Sequence, residues 1–306
     1  MIKVKKLTQI FAAVLLIFVV TAGSAQVQAQ IKISHELGTA VVPKNPQTVV
    51  VFDYAILDTL DNMGVKVVGL PKSSIPAYLA HYNGREYVDV GTLFEPNFEK
   101  VYELRPDLIL IGGRQASVYP ELARIAPTVY LTIDTADYLG SFAHNLRILG
   151  EIFDQKEFVE AELAKIEQEF AAIQAEAANL GANGLLIMAN DGALSAFGPN
   201  SRFGVIHKEF GFPPADPNIE IANHGQNVSF EYLARINPDF LFVVDRAATV
   251  GGSISAEQVL DNEIVRSLNA YKSDRIIYLT SQVWYAASGG LTGTKIMIED
   301  INQIFK

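Results

Sequence analysis

Short apolar runs alternate with amphipathic stretches along most of this chain. Thr48–Asp53 (TVVVFD) is β-branched and apolar, as expected of a strand buried on both faces of a parallel sheet. Leu57, Leu60 and Met63 then recur at helical spacing until Gly64 stops the helix, and Val65–Leu70 is the next strand. Glu99–Leu104 reads as a short helix, Pro106-Asp107 as a turn and Leu108–Ile111 as a strand. Leu122–Ile125 is helical again and Thr128–Ile133 extended. Strands alternating with helices predict a parallel sheet covered on both faces.

From Tyr138 to Leu180 the pattern changes. The stretch has no proline and is rich in Ala, Glu, Leu and Lys, and Leu146, Leu149, Leu163, Ile166, Phe170 and Ile173 fall mainly three and four apart. This predicts one long helix, bent near Gly150; two ordinary helices of a bundle would fit the same spacing. Beyond Gly184 the alternation resumes, with strands at Leu185–Ala189, Phe240–Val244 and Arg275–Leu279, a helix at Phe203–Phe210 and a last helix from Thr292. The expected fold is α/β, two parallel-sheet lobes joined by one long bridging α-helix with a ligand cleft between them. The expected boundaries are 30–137 for the first lobe, 138–180 for the bridge and 181–306 for the second lobe.

Residues 1–29 stand outside this pattern. Lys3, Lys5 and Lys6 precede an almost wholly apolar Ile10–Val20, with small and polar residues after it, which is the layout of a secretory signal peptide. The apolar run is shorter than the roughly 20 residues of a membrane span. The 306 residues contain no cysteine, which excludes disulfides, thiol catalysis, Cys-based zinc sites and a lipid-bearing cysteine after the leader. A soluble, exported monomer is expected. The formal charge of −10 argues against nucleic acid, and an anionic ligand would need a local cluster of positive charge.

One stretch is written twice. Residues 98–114 (FEKVYELRPDLILIGGR) and 230–246 (FEYLARINPDFLFVVDR) align without a gap, sharing Phe98/Phe230, Glu99/Glu231, Pro106/Pro238, Asp107/Asp239 and Arg114/Arg246. Chance reuse of a helix–turn–strand unit would give a similar match. In such a unit the start of the helix and the end of the strand share a rim. Open parallel sheets bind ligands at the carboxyl ends of their strands. Arg114 and Arg246 thus fall at a cleft rim, and Arg202, in the FGPNSRFG loop, joins them. A lone strand-end arginine commonly makes a surface salt bridge. Three converging guanidiniums suit an anion of dispersed charge.

No GxxxxGK[ST], HExxH, GxSxG or GxGxxG motif is present, and the five histidines are scattered. His224, in IANHGQNVSF, and Tyr285, in SQVWYAASGG, nevertheless fall in loops at the cleft rim of the second lobe. Imidazole and phenolate there are candidate ligands for hard Fe³⁺.

These features together resemble a known family. The leader, the VVVFDYAILDTLDNMGVKVVGLPK opening, both repeats and the central helix are similar to the helix-bridged binding proteins of ABC importers. GGRQ, FGPNSRFG, VDRAATVGG, ANHGQNVS and VWYAASGG resemble loops of the ferric catecholate-siderophore binders among them, the enterochelin and petrobactin uptake proteins. The resemblance implies that Arg114, Arg202 and Arg246 neutralise the ferric catecholate, with Trp284 also among the ligand-binding residues. His224 and Tyr285 would complete the iron coordination of a four-donor siderophore. Glu99 and Glu231 would dock on the inner-membrane ABC permease. It also implies a periplasmic protein with no intrinsic cofactor, the Fe(III)-siderophore being cargo, and no enzymatic activity. The alternatives are the same fold holding haem, cobalamin or a hydroxamate siderophore, a binder of bare metal ions, or an enzyme that reduces or hydrolyses the siderophore complex.

Overall fold

The computed structural model describes residues 29–222 and 224–306. Apart from Ala29, the leader expected over 1–29 lies outside the described residues. Among the described residues no helix is long and apolar enough to cross a membrane.

The fold opens with an antiparallel hairpin, β1 (Gln30–His35) and β2 (Gly38–Pro43), which the apolar pattern does not announce. A five-stranded sheet follows, from β3 (Val49–Val51), β4 (Val67–Leu70), β5 (Val88–Asp89), β6 (Leu108–Ile111) and β7 (Thr128–Tyr130). Its order is β5-β4-β3-β6-β7, all parallel, and β3 and β6 are fully buried at its centre.

The second sheet contains β8 (Gly184–Asn190), β9 (Ala193–Phe197), β10 (Gln226–Val228), β11 (Phe240–Asp245) and β12 (Ile276–Tyr278), ordered β10-β9-β8-β11-β12. Here β8, β11 and β12 are parallel, but β9 runs antiparallel to both β8 and β10. The two-residue turn Asp191-Gly192 causes the reversal. Both residues have positive φ, 48° and 90°, as a type I′ hairpin requires.

The helical stretch expected over 138–180 is present but broken. Tyr138–Ile152 and Lys156–Leu180 are separate helices, with Asp154 in the left-handed region at φ 58° between them. Gly150 permits the fold-back: a Cβ there would meet Val159 Cγ2 at 2.9 Å. Arg147 clamps Glu160 across the bend with Nε–Oε1 at 2.7 Å and Nη2–Oε2 at 2.9 Å. The 25-residue second helix, about 37 Å long, is the bridge. Near its start Gln155 donates to the Met63 carbonyl, and near its end Gln174 donates to that of Lys208. Leu163, Ile166, Phe170, Ile173 and Ala177 form its buried stripe, and Phe170 stacks on Phe210 at 4.7 Å.

A second connection crosses back. The last helix, Leu291–Asn302, packs on Tyr54–Asn62, where the buried Asp58 carboxylate accepts from the N–H groups of Thr292 and Gly293. Asp58 thereby satisfies donors left open at a helix start. Its burial outweighs these bonds and pushes its pKa up to about 6.

The repeat is structural as well as textual. Its helices, Phe98–Leu104 and Phe230–Ile236, are capped by Asn97 and Ser229, and both end on a left-handed residue, Arg105 and Asn237, each at φ 48°. After each proline the aspartate fastens the lead-in to a neighbouring strand. Asp107 accepts from the N–H groups of Gln47 and Thr48, and Asp239 from that of Asn183. The strands that follow are β6 and β11, near the middle of the two sheets.

Candidate functional site

A cavity of about 520 Å³ opens at the carboxyl end of β6. Its wall combines Asp53, Phe94 and Arg114 from the first half, Ser201, Arg202, Ile221 and His224 from the second, and Tyr285 with Ser288 and Gly289 from the terminal segment. The cleft expected from sheet topology therefore exists, and it draws on both halves.

Tyr285 is its centre. Val283–Ala287, expected as a loop, is a single π-helical turn, a wide geometry often found at functional positions. Asp300 anchors this turn, accepting from the Thr280 N–H and hydroxyl and from Trp284 Nε1, each at 2.8 Å. The Tyr285 carbonyl then receives two guanidiniums, Arg114 Nη2 at 3.0 Å and Arg202 Nη2 at 2.7 Å. Its phenol oxygen accepts from Arg246 Nε at 2.9 Å. The Arg202 and Arg246 guanidinium carbons lie 4.8 and 5.5 Å from the centre of its ring.

Among the described residues, the side-chain hydrogen bonds of the three arginines go to neutral acceptors: this carbonyl, this phenol, or Asn190 Oδ1. Burial, reinforced by the charges of Arg114 and Arg246, lowers the pKa of Arg202 to about 10. It remains charged at neutral pH, but at a cost that an anion would relieve.

Asp53 is the carboxylate in this wall, and the sequence reading passed over it. It caps the helix Tyr54–Asn62 through Oδ1, bonded to the N–H groups of Ala55 and Ile56. Gly112 leaves room for its other oxygen, since a Cβ there would lie 2.3 Å from Oδ2. Desolvation raises its pKa, and the charge of Arg114 opposes the rise. A strand-end aspartate followed by an apolar helix (VVVFDYAIL) was the available signal. Gln115 was also passed over. Fully buried, it accepts from the Gly112 N–H and donates to the Leu93 carbonyl, fixing the Arg114 turn to the Phe94 loop.

The other expected residues divide. His224 is exposed in a turn lining the cavity, while the remaining histidines are engaged or lie outside its wall. Arg246 stands behind Tyr285 rather than in the wall, held by Asn190 and the phenol. Trp284 is 1% exposed, faces Asp300 and Phe210, and is absent from the wall. Glu99 and Glu231 are exposed in the first turns of their repeat helices, outside the cleft wall. Among the described residues no cluster of three or more His, Asp or Glu side chains forms a ready-made metal site.

A two-lobed fold with a cationic cleft between its sheets defines a solute-binding protein. The chain belongs to the periplasmic binding protein family, whose profile matches residues 49–283, a family of binding proteins rather than enzymes. It is 46% identical to the petrobactin-binding protein YclQ of Bacillus subtilis, over 97% of this chain and 98% of that protein. It is 35% identical to the ferric-anguibactin-binding protein FatB of Vibrio anguillarum, over 90% and 87% of the two chains. The crystal structure of the periplasmic catecholate-siderophore binding protein VctP from Vibrio cholerae is also similar, with a TM-score of 0.86 and 36% identity over 90% of this chain and all of that one.

Proposed function

We propose that this protein is exported to the periplasm, captures ferric catecholate siderophores in the interlobe cleft and passes them to an inner-membrane ABC permease. The observation that carries this reading is the convergence of Arg114, Arg202 and Arg246 on Tyr285 with no carboxylate among the described residues bonded to any of them. Guanidinium groups disperse their charge over several donors, which suits a bulky complex anion whose charge is spread over catecholate oxygens. The names of YclQ, FatB and VctP support iron-siderophore cargo, and that of VctP supports catecholate chemistry.

In this reading Arg114 and Arg202 meet the complex directly, and Arg246 orients the Tyr285 phenol. A siderophore offering four donor atoms leaves two positions on iron, which His224 and Tyr285 fill. The protein does no covalent chemistry. The bridging helix and the returning terminal helix limit relative motion, so binding rearranges the His224 and Tyr285 segments more than the lobes. Glu99 and Glu231, one per repeat, face the permease.

A thermal-shift panel tests the ligand class with ferric catecholates, ferric hydroxamates, haem and cobalamin at equal concentration. Stabilisation by the catecholates above all others is expected. Stabilisation only by a neutral ligand contradicts the reading, because such a ligand would bury the arginines unpaired.

A further inference from the structure

We infer that Phe94 and Ile221 form an apolar collar at the cleft mouth that packs against the aromatic rings of the bound complex, selecting catecholates from other anions of similar charge. This rests on the functional reading above and extends it from charge to shape. Phe94 is 65% exposed and Ile221 74% exposed, yet both belong to the wall of the cavity, one from each half of the chain. A third exposed apolar residue, Val250, shares with Phe94 a smaller cavity of about 60 Å³ that also borders Arg114 and Tyr285.

The two collar residues are held in place. The buried Gln115 side chain bonds the carbonyl of Leu93, and Thr92 Oγ1 accepts from the N–H groups of Phe94 and Glu95. Across the mouth the Glu220 N–H donates to Gln226 Oε1 and the Gly225 N–H to the Ala222 carbonyl, bracketing Ile221. The Arg114 guanidinium carbon lies 5.9 Å from the Phe94 ring centre, so the aromatic face adjoins a charge that would meet the ligand.

Guanidiniums alone attract any compact anion. A catecholate complex differs by presenting flat apolar ring faces beside its charged oxygens. An exposed phenyl ring and an isoleucine flanking the cationic pocket match that combination.

The test is a fluorescence titration of Phe94→Ala, Ile221→Ala, the double variant, Phe94→Tyr and Arg114→Gln with a ferric bis-catecholate, repeated from low to high salt. Each alanine variant should bind about 10-fold more weakly and the double variant about 100-fold, while Phe94→Tyr stays within about 3-fold of wild type. The collar losses should keep a constant ratio to wild type as salt rises, whereas the Arg114→Gln loss should shrink. Both collar sites are exposed, so the melting temperatures should match wild type. A double variant with wild-type affinity, or a loss that fades with salt, overturns the collar and leaves the functional reading standing. Absence of binding by the wild-type protein overturns both.

Discussion

Arg114 and Arg202 reach from different halves of the chain to one oxygen, the main-chain carbonyl of Tyr285, at 3.0 and 2.7 Å. Two cations share a neutral acceptor, with a third, Arg246, on the phenol of the same residue. A carbonyl carries only a partial charge, so it orients the guanidiniums without neutralising them. The site stores repulsion that an anionic ligand would release.

Replacing Arg202 by Gln should weaken binding of an anionic complex at least about 10-fold, since charge-assisted hydrogen bonds are the strong ones. It should also stabilise the ligand-free protein by roughly 1 kcal/mol, because a largely buried charge beside two like charges is removed. Chemical denaturation of the empty protein checks the second effect. A less stable variant would mean that the bond to the Tyr285 carbonyl outweighs the repulsion.

Substituting His224 by Ala together with Tyr285 by Phe should separate two ligand classes. A four-donor ferric complex should lose about 100-fold or more in affinity, and a six-donor one only a few-fold. Equal losses would remove direct iron ligation from the account. Tyr285→Phe also deprives Arg246 Nε of its acceptor, so the single variants should be compared with Arg246→Lys.

The contribution of Asp58 to stability should fall as pH rises from about 4 to about 6. Asp58 has its pKa raised by burial from 3.8 to about 6, so the folded protein keeps a proton that the unfolded chain gives up. The favourable contribution is complete below pH 4 and gone above pH 6, a change on the order of 1–3 kcal/mol. Asp300, Glu209 and Asp53 are raised for the same main reason and slope the same way. His35 and His207, lowered by burial, slope the opposite way, so the decline is read as the difference in denaturation midpoint between the wild-type protein and Asp58→Asn across this range. An unchanged slope in that variant would contradict the assignment.

Charge reversal at the two repeat helices should uncouple binding from delivery. Glu99→Arg and Glu231→Arg lie outside the cleft wall and should leave siderophore affinity within about 2-fold. Siderophore-dependent growth should nevertheless be lost in cells carrying the double variant as their sole copy. Normal growth would exclude these glutamates from docking.

How much of this could be read in advance depended on whether the cause was local. The repeat was legible because cap, left-handed stop, proline and aspartate occupy neighbouring positions that sequence preserves. The end of β6 was legible too, which put Arg114 at the cleft, but Arg202 follows β9 and His224 precedes β10, two strands whose antiparallel pairing the apolar pattern did not announce. The Asp191-Gly192 hairpin carries its usual sign, Asp-Gly between two apolar runs. A bend near Gly150 was legible, but the complete break at 153–155 was not: Asp154 is left-handed and Val159 packs close to Gly150, a contact made only after folding. For the same reason Trp284 and Arg246 could not be placed from position alone. Neighbours on one turn, Trp284 points into the core toward Asp300 while the Tyr285 ring meets Arg202 and Arg246.

Binding of a ferric catecholate in the cleft around Tyr285 can be followed from within the site. The chain contains a single tryptophan, Trp284, buried immediately beside Tyr285, which makes its emission a local reporter. Titration of the purified protein with a ferric bis-catecholate should quench that emission saturably at micromolar ligand or below, and shift the charge-transfer band of the iron complex. Iron alone and the iron-free catecholate should each do neither. Unquenched emission and an unshifted band at micromolar ferric complex would contradict the claim.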